Sequence, residues 1–225
     1  MMNPHLKIEH FTQSSEELEK NLFHGKTLTD LVGNQLTTLL EKLLDDLGVK
    51  SDPIVETLVP SQATVKGRVY ISRGVKIEPT AYIAGPCYIG PNAQIRHGAY
   101  IRGSVFVGSE AVVGHATEVK GSIFCHHAKA GHFAYVGDSI LGTNANLGAG
   151  TKLANLKFSG TEVKIRLADG SKISTGLRKL GAIIGANAQT GCNAVLSPGT
   201  VLYPKTAVGP CVHFHGTLAE GICRQ

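Results

Sequence analysis

The sequence predicts a mainly β chain wound as a parallel β-helix of hexapeptide repeats, with α-helices before it and a β-hairpin arm inserted into it. Three observations lead there. A β-branched aliphatic recurs every six residues, at Val59, Val65, Ile71, Ile77, Ile83, Ile89, Ile95, Ile101, Val107, Val113 and Val119. The residue four further on is small or β-branched, from Ala63 to Ile123, with Gly and Pro in the intervals, as at Pro79, Gly85-Pro86, Gly90-Pro91 and Gly108. The 225 residues include 27 glycines, few aromatics and no tryptophan, which suits a core of thin, repeated aliphatic layers.

A step of six cannot line one face of an α-helix, and the residues in the run favour strands. Six-residue units of strand plus turn build a flat-sided coil whose turns stack as parallel strands about 4.8 Å apart. An antiparallel sandwich is the competing reading, but its turns do not recur at a fixed six. The step reaches Cys125, lapses through Cys-His-His-Ala-Lys-Ala-Gly-His-Phe-Ala-Tyr-Val-Gly-Asp, and restarts in a shifted phase at Leu141, Leu147 and Leu153. After a further insertion it resumes at Ile184, Thr190, Leu196, Leu202 and Val208. The repeat region is therefore taken as residues 59–225.

Residues 1–58 read as a helical N-terminal segment. Thr27-Leu-Thr-Asp30 resembles a capping box, and Leu28, Leu31, Val32, Leu36, Leu39, Leu40, Leu43, Leu44 and Leu47 follow at helical spacing up to Gly48. A shorter helix is expected from Ser15 to Phe23. Because a solenoid end exposes strand edges and apolar core, these helices are expected to cap it. The insertion at about 154–182 alternates polar and apolar in Glu162-Val-Lys-Ile-Arg-Leu and Ser171-Lys-Ile-Ser around Ala168-Asp169-Gly170. It reads as a hairpin that projects from the coil, carrying Lys157, Lys164, Arg166 and Lys172, with Arg178 and Lys179 following.

The formal net charge of +5 fits phosphate-bearing small molecules. Nucleic acid is disfavoured, since no basic run is interleaved with aromatics. No apolar stretch approaches the roughly 18 residues of a membrane span and the N-terminus has no apolar signal core, so a cytoplasmic protein is expected. Cys87, Cys125, Cys192, Cys211 and Cys223 form no CxxC pair and read as small buried hydrophobes in a reducing compartment.

Chemistry is expected where the regular coil is interrupted. Gly-His132-Phe-Ala-Tyr135-Val-Gly-Asp138 occupies the first interruption, Gly142-Thr-Asn-Ala-Asn146-Leu-Gly-Ala-Gly150 follows it, and Ala154-Asn155-Leu opens the second. Arg102 and Lys120 are three six-residue steps apart, which in a three-sided coil stacks them in adjacent layers as a phosphate clamp.

Glu118-Val-Lys120, Lys129-Ala-Gly-His132-Phe-Ala-Tyr135-Val-Gly-Asp138 and Asn146-Leu-Gly-Ala-Gly-Thr151 resemble the hexapeptide-repeat glucosamine-1-phosphate N-acetyltransferase domain of the bifunctional bacterial acetyltransferase/uridylyltransferases. Ala154-Asn155-Leu-Lys-Phe, the hairpin and Ser174-Thr-Gly-Leu-Arg-Lys-Leu-Gly-Ala are closer to archaeal-type sugar-1-phosphate nucleotidylyltransferases with an acetyltransferase tail. The resemblance spans roughly residues 83–209. It implies a left-handed β-helix, a homotrimer with sites between subunits, acetyl-CoA as acetyl donor, and glucosamine-1-phosphate or galactosamine-1-phosphate as acceptor. It implies His132 as general base, with Tyr135 and Asn155 orienting amino sugar and thioester. Arg102, Lys120, Glu118, Asn146 and Lys164 would hold the substrate. Leu156, Gly121 and Thr161 depart from the family pattern and bear on which amino sugar is used. Residues 1–58 show no nucleotide-triphosphate site, so a separate nucleotidylyltransferase is expected to complete nucleotide-sugar synthesis.

Other readings remain open from sequence. Glu118 and Asp138 could serve turns or salt bridges, Lys164 could be a solvated strand residue, and Asn144 and Asn146 a turn ladder. His97, His115, His126, His213 and His215 read as surface or packing residues. A zinc-dependent carbonic-anhydrase-like trimer could use His127 and His132, five apart, though no third histidine fits the spacing. A third reading is a non-catalytic relic of a sugar nucleotidylyltransferase.

Overall fold

The computed structural model describes residues 7–224; residues 1–6, the start of the segment read as helical, and residue 225 lie outside the described residues. The repeat coils into a three-walled parallel β-helix. A nine-stranded wall begins at Ile54–Val55 and Val69–Ile71 (the first wall), an eight-stranded wall at Lys76–Ile77 (the second), and another eight-stranded wall at Thr64–Lys66 (the third). The chain visits first, second and third walls in turn. The predicted residues Ile71, Ile83, Ile89, Ile95, Ile101, Val107, Val113 and Val119 point into a continuous interior.

The interruption predicted after Cys125 is not one. Phe124, Ala130, Val136, Leu141, Leu147 and Leu153 all face inward. What changes is the length of a coil. Cys87 pairs with Val105 and Tyr100 with Glu118, eighteen residues apart, whereas Ile123 pairs with Ile140 and Lys129 with Asn146, seventeen apart. The corner from third to first wall loses one residue at Lys120-Gly121-Ser122 and again at Gly137-Asp138-Ser139, so the inward step there is five. Cys125 therefore faces outward. Of the other cysteines Cys87 is in the interior, Cys223 is partly buried against it, and Cys192 and Cys211 are exposed. They sit near corners, where side chains face water, so the expectation of five buried cysteines holds for two.

The first wall carries a second, outward apolar ladder. Tyr70, Tyr88, Phe106, Ile123, Ile140, Ile183 and Val201 align coil by coil, with Tyr88 and Phe106 stacked at 5.1 Å. The helices lie on this ladder instead of capping an end. They are α1 (Ile8–Thr12), α2 (Glu17–Phe23) and α3 (Gly33–Asp46), with a 3-10 turn at Leu28–Leu31. Ile8, Phe11, Phe23, Leu31, Leu36 and Leu40 form one buried cluster with the ladder. Thr27 and Asp30 make the predicted capping box, but it starts only the 3-10 turn. Val32 is extended and Gly33 adopts φ +61, which splits the leucine run in two. Covering the apolar wall removes its surface from water, which stabilises by about 25 cal/mol per Å².

The hairpin is present, Lys164–Arg166 pairing antiparallel with Lys172–Ser174. It does not project. Val163 and Ile165 are fully buried in the same outer cluster, and the Thr217 hydroxyl bonds the Arg166 carbonyl. The alternation read as a free arm is a half-buried strand.

On the second wall two coils approach unusually closely. A Cβ at Gly114 would stand 1.9 Å from the Gly131 carbonyl oxygen, whereas one at Gly131 would meet nothing within 4 Å. Gly114→Ala is therefore expected to cost about 1–3 kcal/mol and to displace the strand Lys129–His132, while Gly131→Ala is expected to be nearly neutral. Urea melts of both variants check this; equal midpoints would refute it.

Candidate active site

The third wall and its corner to the first collect most of the predicted site residues. Pairing of Tyr100 with Glu118 and Ile101 with Val119 sets Arg102 beside Lys120, in adjacent layers as the spacing predicts. Each cation is matched by a carboxylate. Arg102 Nη1 lies 2.6 Å from Glu118 Oε1, and this bond holds the guanidinium pKa above its usual value. Lys120 Nζ lies 3.0 and 3.1 Å from the two oxygens of Asp138. A bare pair of cations is thus replaced by two salt links.

Asp138 occupies the corner where earlier coils place Gly103 and Gly121, and like them has positive φ. That left-handed backbone is uncommon for non-glycine residues. Only 4 % exposed, its carboxylate accepts from Lys120 and from the Asn155 amide. The Tyr135 hydroxyl donates to Asn155 Oδ1 at 3.4 Å. Burial pushes the Tyr135 phenol pKa up, and the nearby Asp138 charge adds to it. The chain Lys120–Asp138–Asn155–Tyr135 is a connected polar network in which each group satisfies the next. Gly137 makes room for it: a Cβ there would meet Asn155 Nδ2 at 2.7 Å and the Tyr135 hydroxyl at 2.8 Å.

Arg102, Lys120 and Asp138 line a groove of about 700 Å³ with Arg178 and Lys179 from the insertion and Asn34, Gln35 and Thr37 of α3. Positive groups from the coil and from the insertion converge on one cleft, which favours an anion. His132 and Asn146 line a different groove of about 620 Å³ on the second wall, with Gln94, Arg96, Glu110, His127 and Lys129. The His132 ring is exposed at the end of Lys129–His132, and His132 is paired in register with His115. So one chain does not bring the imidazole onto the groove that holds Arg102 and Lys120. Lys164 lines neither groove; it is an exposed hairpin residue opposite Ser174.

Sequence reasoning missed the contributions of Asn34, Gln35 and Thr37, because no local signal says which wall a helix docks on. It named Arg178 and Lys179 only as basic residues after the hairpin. The antiparallel bridge of Leu156 with Lys179 brings them to the cleft.

Among the described residues no helix is long and apolar enough to cross a membrane. Comparison with known proteins agrees with the coil and the motifs. A bifunctional sugar-1-phosphate nucleotidylyltransferase/acetyltransferase of Sulfurisphaera tokodaii is 49% identical over 72 residues, covering 32% of this chain and 18% of that protein. The bifunctional protein GlmU of Methanocaldococcus jannaschii is 44% identical over 73 residues, 32% of this chain and 17% of that protein. The matched stretch is thus under a fifth of these relatives' length. A crystal structure of a mutant perosamine N-acetyltransferase from Caulobacter crescentus, in complex with CoA and GDP-perosamine, is 18% identical. It covers 82% of this chain and 59% of that chain, with a TM-score of 0.34. A family model described as the GMPPB C-terminal domain matches residues 83–174. That stretch holds the coil corner with Arg102, Lys120 and Asp138, and over about a third of its length the chain resembles bifunctional sugar-1-phosphate nucleotidylyltransferase/acetyltransferases.

Proposed function

We propose that this chain is an acyltransferase that moves the acetyl group of acetyl-CoA to the amine of an amino-sugar-1-phosphate, glucosamine-1-phosphate or galactosamine-1-phosphate. The observation that carries the reading is the cationic cleft of Arg102, Lys120, Arg178 and Lys179; its first two cations lie within residues 83–174, which the family model matches, in a chain partly similar to a sugar-1-phosphate nucleotidylyltransferase/acetyltransferase. The sugar phosphate competes with Glu118 and Asp138 for the cations, and Tyr135, Asn155 and Asn146 orient the amino sugar and thioester. The free amine attacks the thioester carbonyl, the C–N bond forms and the C–S bond breaks. His132 takes the proton from nitrogen and passes it to the leaving thiolate, a task suited to an imidazole near neutral pH.

Because His132 and the cleft lie on different grooves of one chain, the reading requires a neighbouring copy to join them, as a homotrimer would. A separate nucleotidylyltransferase would use the product. The test is thiol release from acetyl-CoA with a panel of amino-sugar phosphates. Release is expected with an amino-sugar-1-phosphate and not with the unphosphorylated sugar. No release with any member, alongside no binding of acetyl-CoA, would leave the non-catalytic relic as the better account.

The carbonic-anhydrase-like reading gains little from the geometry. His127 and His132 line the same groove, but the side chains close enough to His127 to share an ion are Glu110 and His126, not His132.

A further inference from the structure

We propose that the corner between the first and second walls binds a divalent first-row cation of zinc type through Glu110, His126 and His127, and that this ion fastens α2 to the coil. The three side chains each offer a ligand atom, and these atoms lie within 4.8 Å of one another. Glu110 Oε2 and His127 Nε2 are 3.5 Å apart. Bonds of about 2.1 Å in a tetrahedral site require ligand atoms about 3.4 Å apart, so this edge is already formed and the third ligand has to close by a side-chain rotation.

The backbone builds the site. Glu110 and His127 hold equivalent corner positions in successive coils, both with φ +57. The same corner carries Asn92, Asn144 and Asn187 elsewhere, also with positive φ. Asparagine tolerates this conformation well; a glutamate there gains nothing locally. The polar partners of His126 gather at its Nδ1. Its Nδ1 lies 2.7 Å from the Ser109 hydroxyl, 3.1 Å from the Ser109 carbonyl oxygen and 3.7 Å from Glu16 Oε1. A carbonyl only accepts, so the tautomer that bonds it carries the hydrogen on Nδ1 and keeps the Nε2 lone pair for an ion. An imidazole that donates its other N–H to a backbone carbonyl, with a carboxylate nearby, is the usual outer arrangement of a metal ligand. Glu16, the residue before α2, thereby joins the helical segment to the site.

Charge supports a cation. Among the described residues, neither Glu16 nor Glu110 forms an ion pair with Lys or Arg; their partners are these histidines. Arg96 shares the groove, but its guanidinium donates to Gln94 Oε1. Imidazole with carboxylate suits zinc and its first-row neighbours over magnesium or calcium.

The experiment is calorimetric titration of Zn2+ into the full chain with Cys192, Cys211 and Cys223 changed to serine, so that accessible thiols do not compete. One equivalent is expected to bind at micromolar Kd or tighter and to raise the melting temperature. Glu110→Gln and His127→Asn are each expected to weaken binding at least tenfold, with His213→Asn as an unaffected control. Cobalt(II) at the site is expected to show visible bands of nitrogen and oxygen coordination. Absence of stoichiometric binding, or binding retained by the double variant His126→Asn/His127→Asn, overturns the proposal. Circular dichroism of each variant separates lost ligation from lost fold.

Discussion

His132→Ala is expected to lower acetyl transfer from acetyl-CoA by about 10²–10⁴-fold, the usual worth of a positioned general base, while the coil melts as before. The ring is exposed, and among the described residues it has no hydrogen-bond partner, so its removal takes no packing or polar contact from the fold. Surface changes of that kind shift stability by only about ±0.5 kcal/mol. Thiol release against time, with a circular-dichroism melt of the same sample, makes the measurement. Wild-type turnover in the variant would reject His132 as base while leaving the cationic cleft as a binding site. A large loss together with an unchanged KM for the sugar phosphate would separate proton transfer from binding.

Glu19→Gln is expected to stabilise the protein at pH 8 and to do little at pH 5. Glu19 lies on α2 with only 1 % of its surface exposed, packed against Gly108. Neither carboxylate oxygen has a hydrogen-bond partner of ordinary geometry. Burial raises its pKa to about 7; the Ser14 hydroxyl, the His126 amide and the Cys125 thiol offset this only in part, and Glu16 adds to it. In the unfolded chain the carboxyl ionises near 4.5. Between those values the folded state holds a proton that the unfolded state has lost, so stability falls as pH rises through that window. Below it the penalty is absent, and above it the penalty is complete, on the order of 3 kcal/mol. Glutamine carries no charge to desolvate and is expected to flatten the dependence. Urea midpoints at pH 5 and pH 8, with chelator present, make the comparison. A difference between variant and wild type that is the same at both pH values would exclude this account.

The architecture was legible because a step of six is hard to produce by any other fold. Its fine structure was not. Phe124 and Cys125 are both apolar, and a one-residue shortening at Gly121 decides which of them faces inward; nothing local distinguishes the choices. The outer ladder was present in the eighteen-residue spacing of Tyr70, Tyr88 and Phe106, but its meaning depends on helices docking from far away in the chain, as Phe23 does on Phe106. The candidate site divides the same way. Stacking of Arg102 on Lys120 follows from coil arithmetic, whereas Lys120 reaches Asp138 diagonally, since its register partner is Gly137. The basic wall from Arg178 and Lys179 depends on how an insertion folds back, which periodicity cannot encode.

The prism is lopsided. One of its walls is permanently upholstered by helices and hairpin, and only the other two meet solvent as bare, flat strand faces. Sister copies gathering about a shared axis would have to meet through those two, so the helical flank would decorate the rim of such a bundle. A chain trimmed of its first fifty residues would expose the greasy rungs that the hairpin does not cover, and is expected to clump through them.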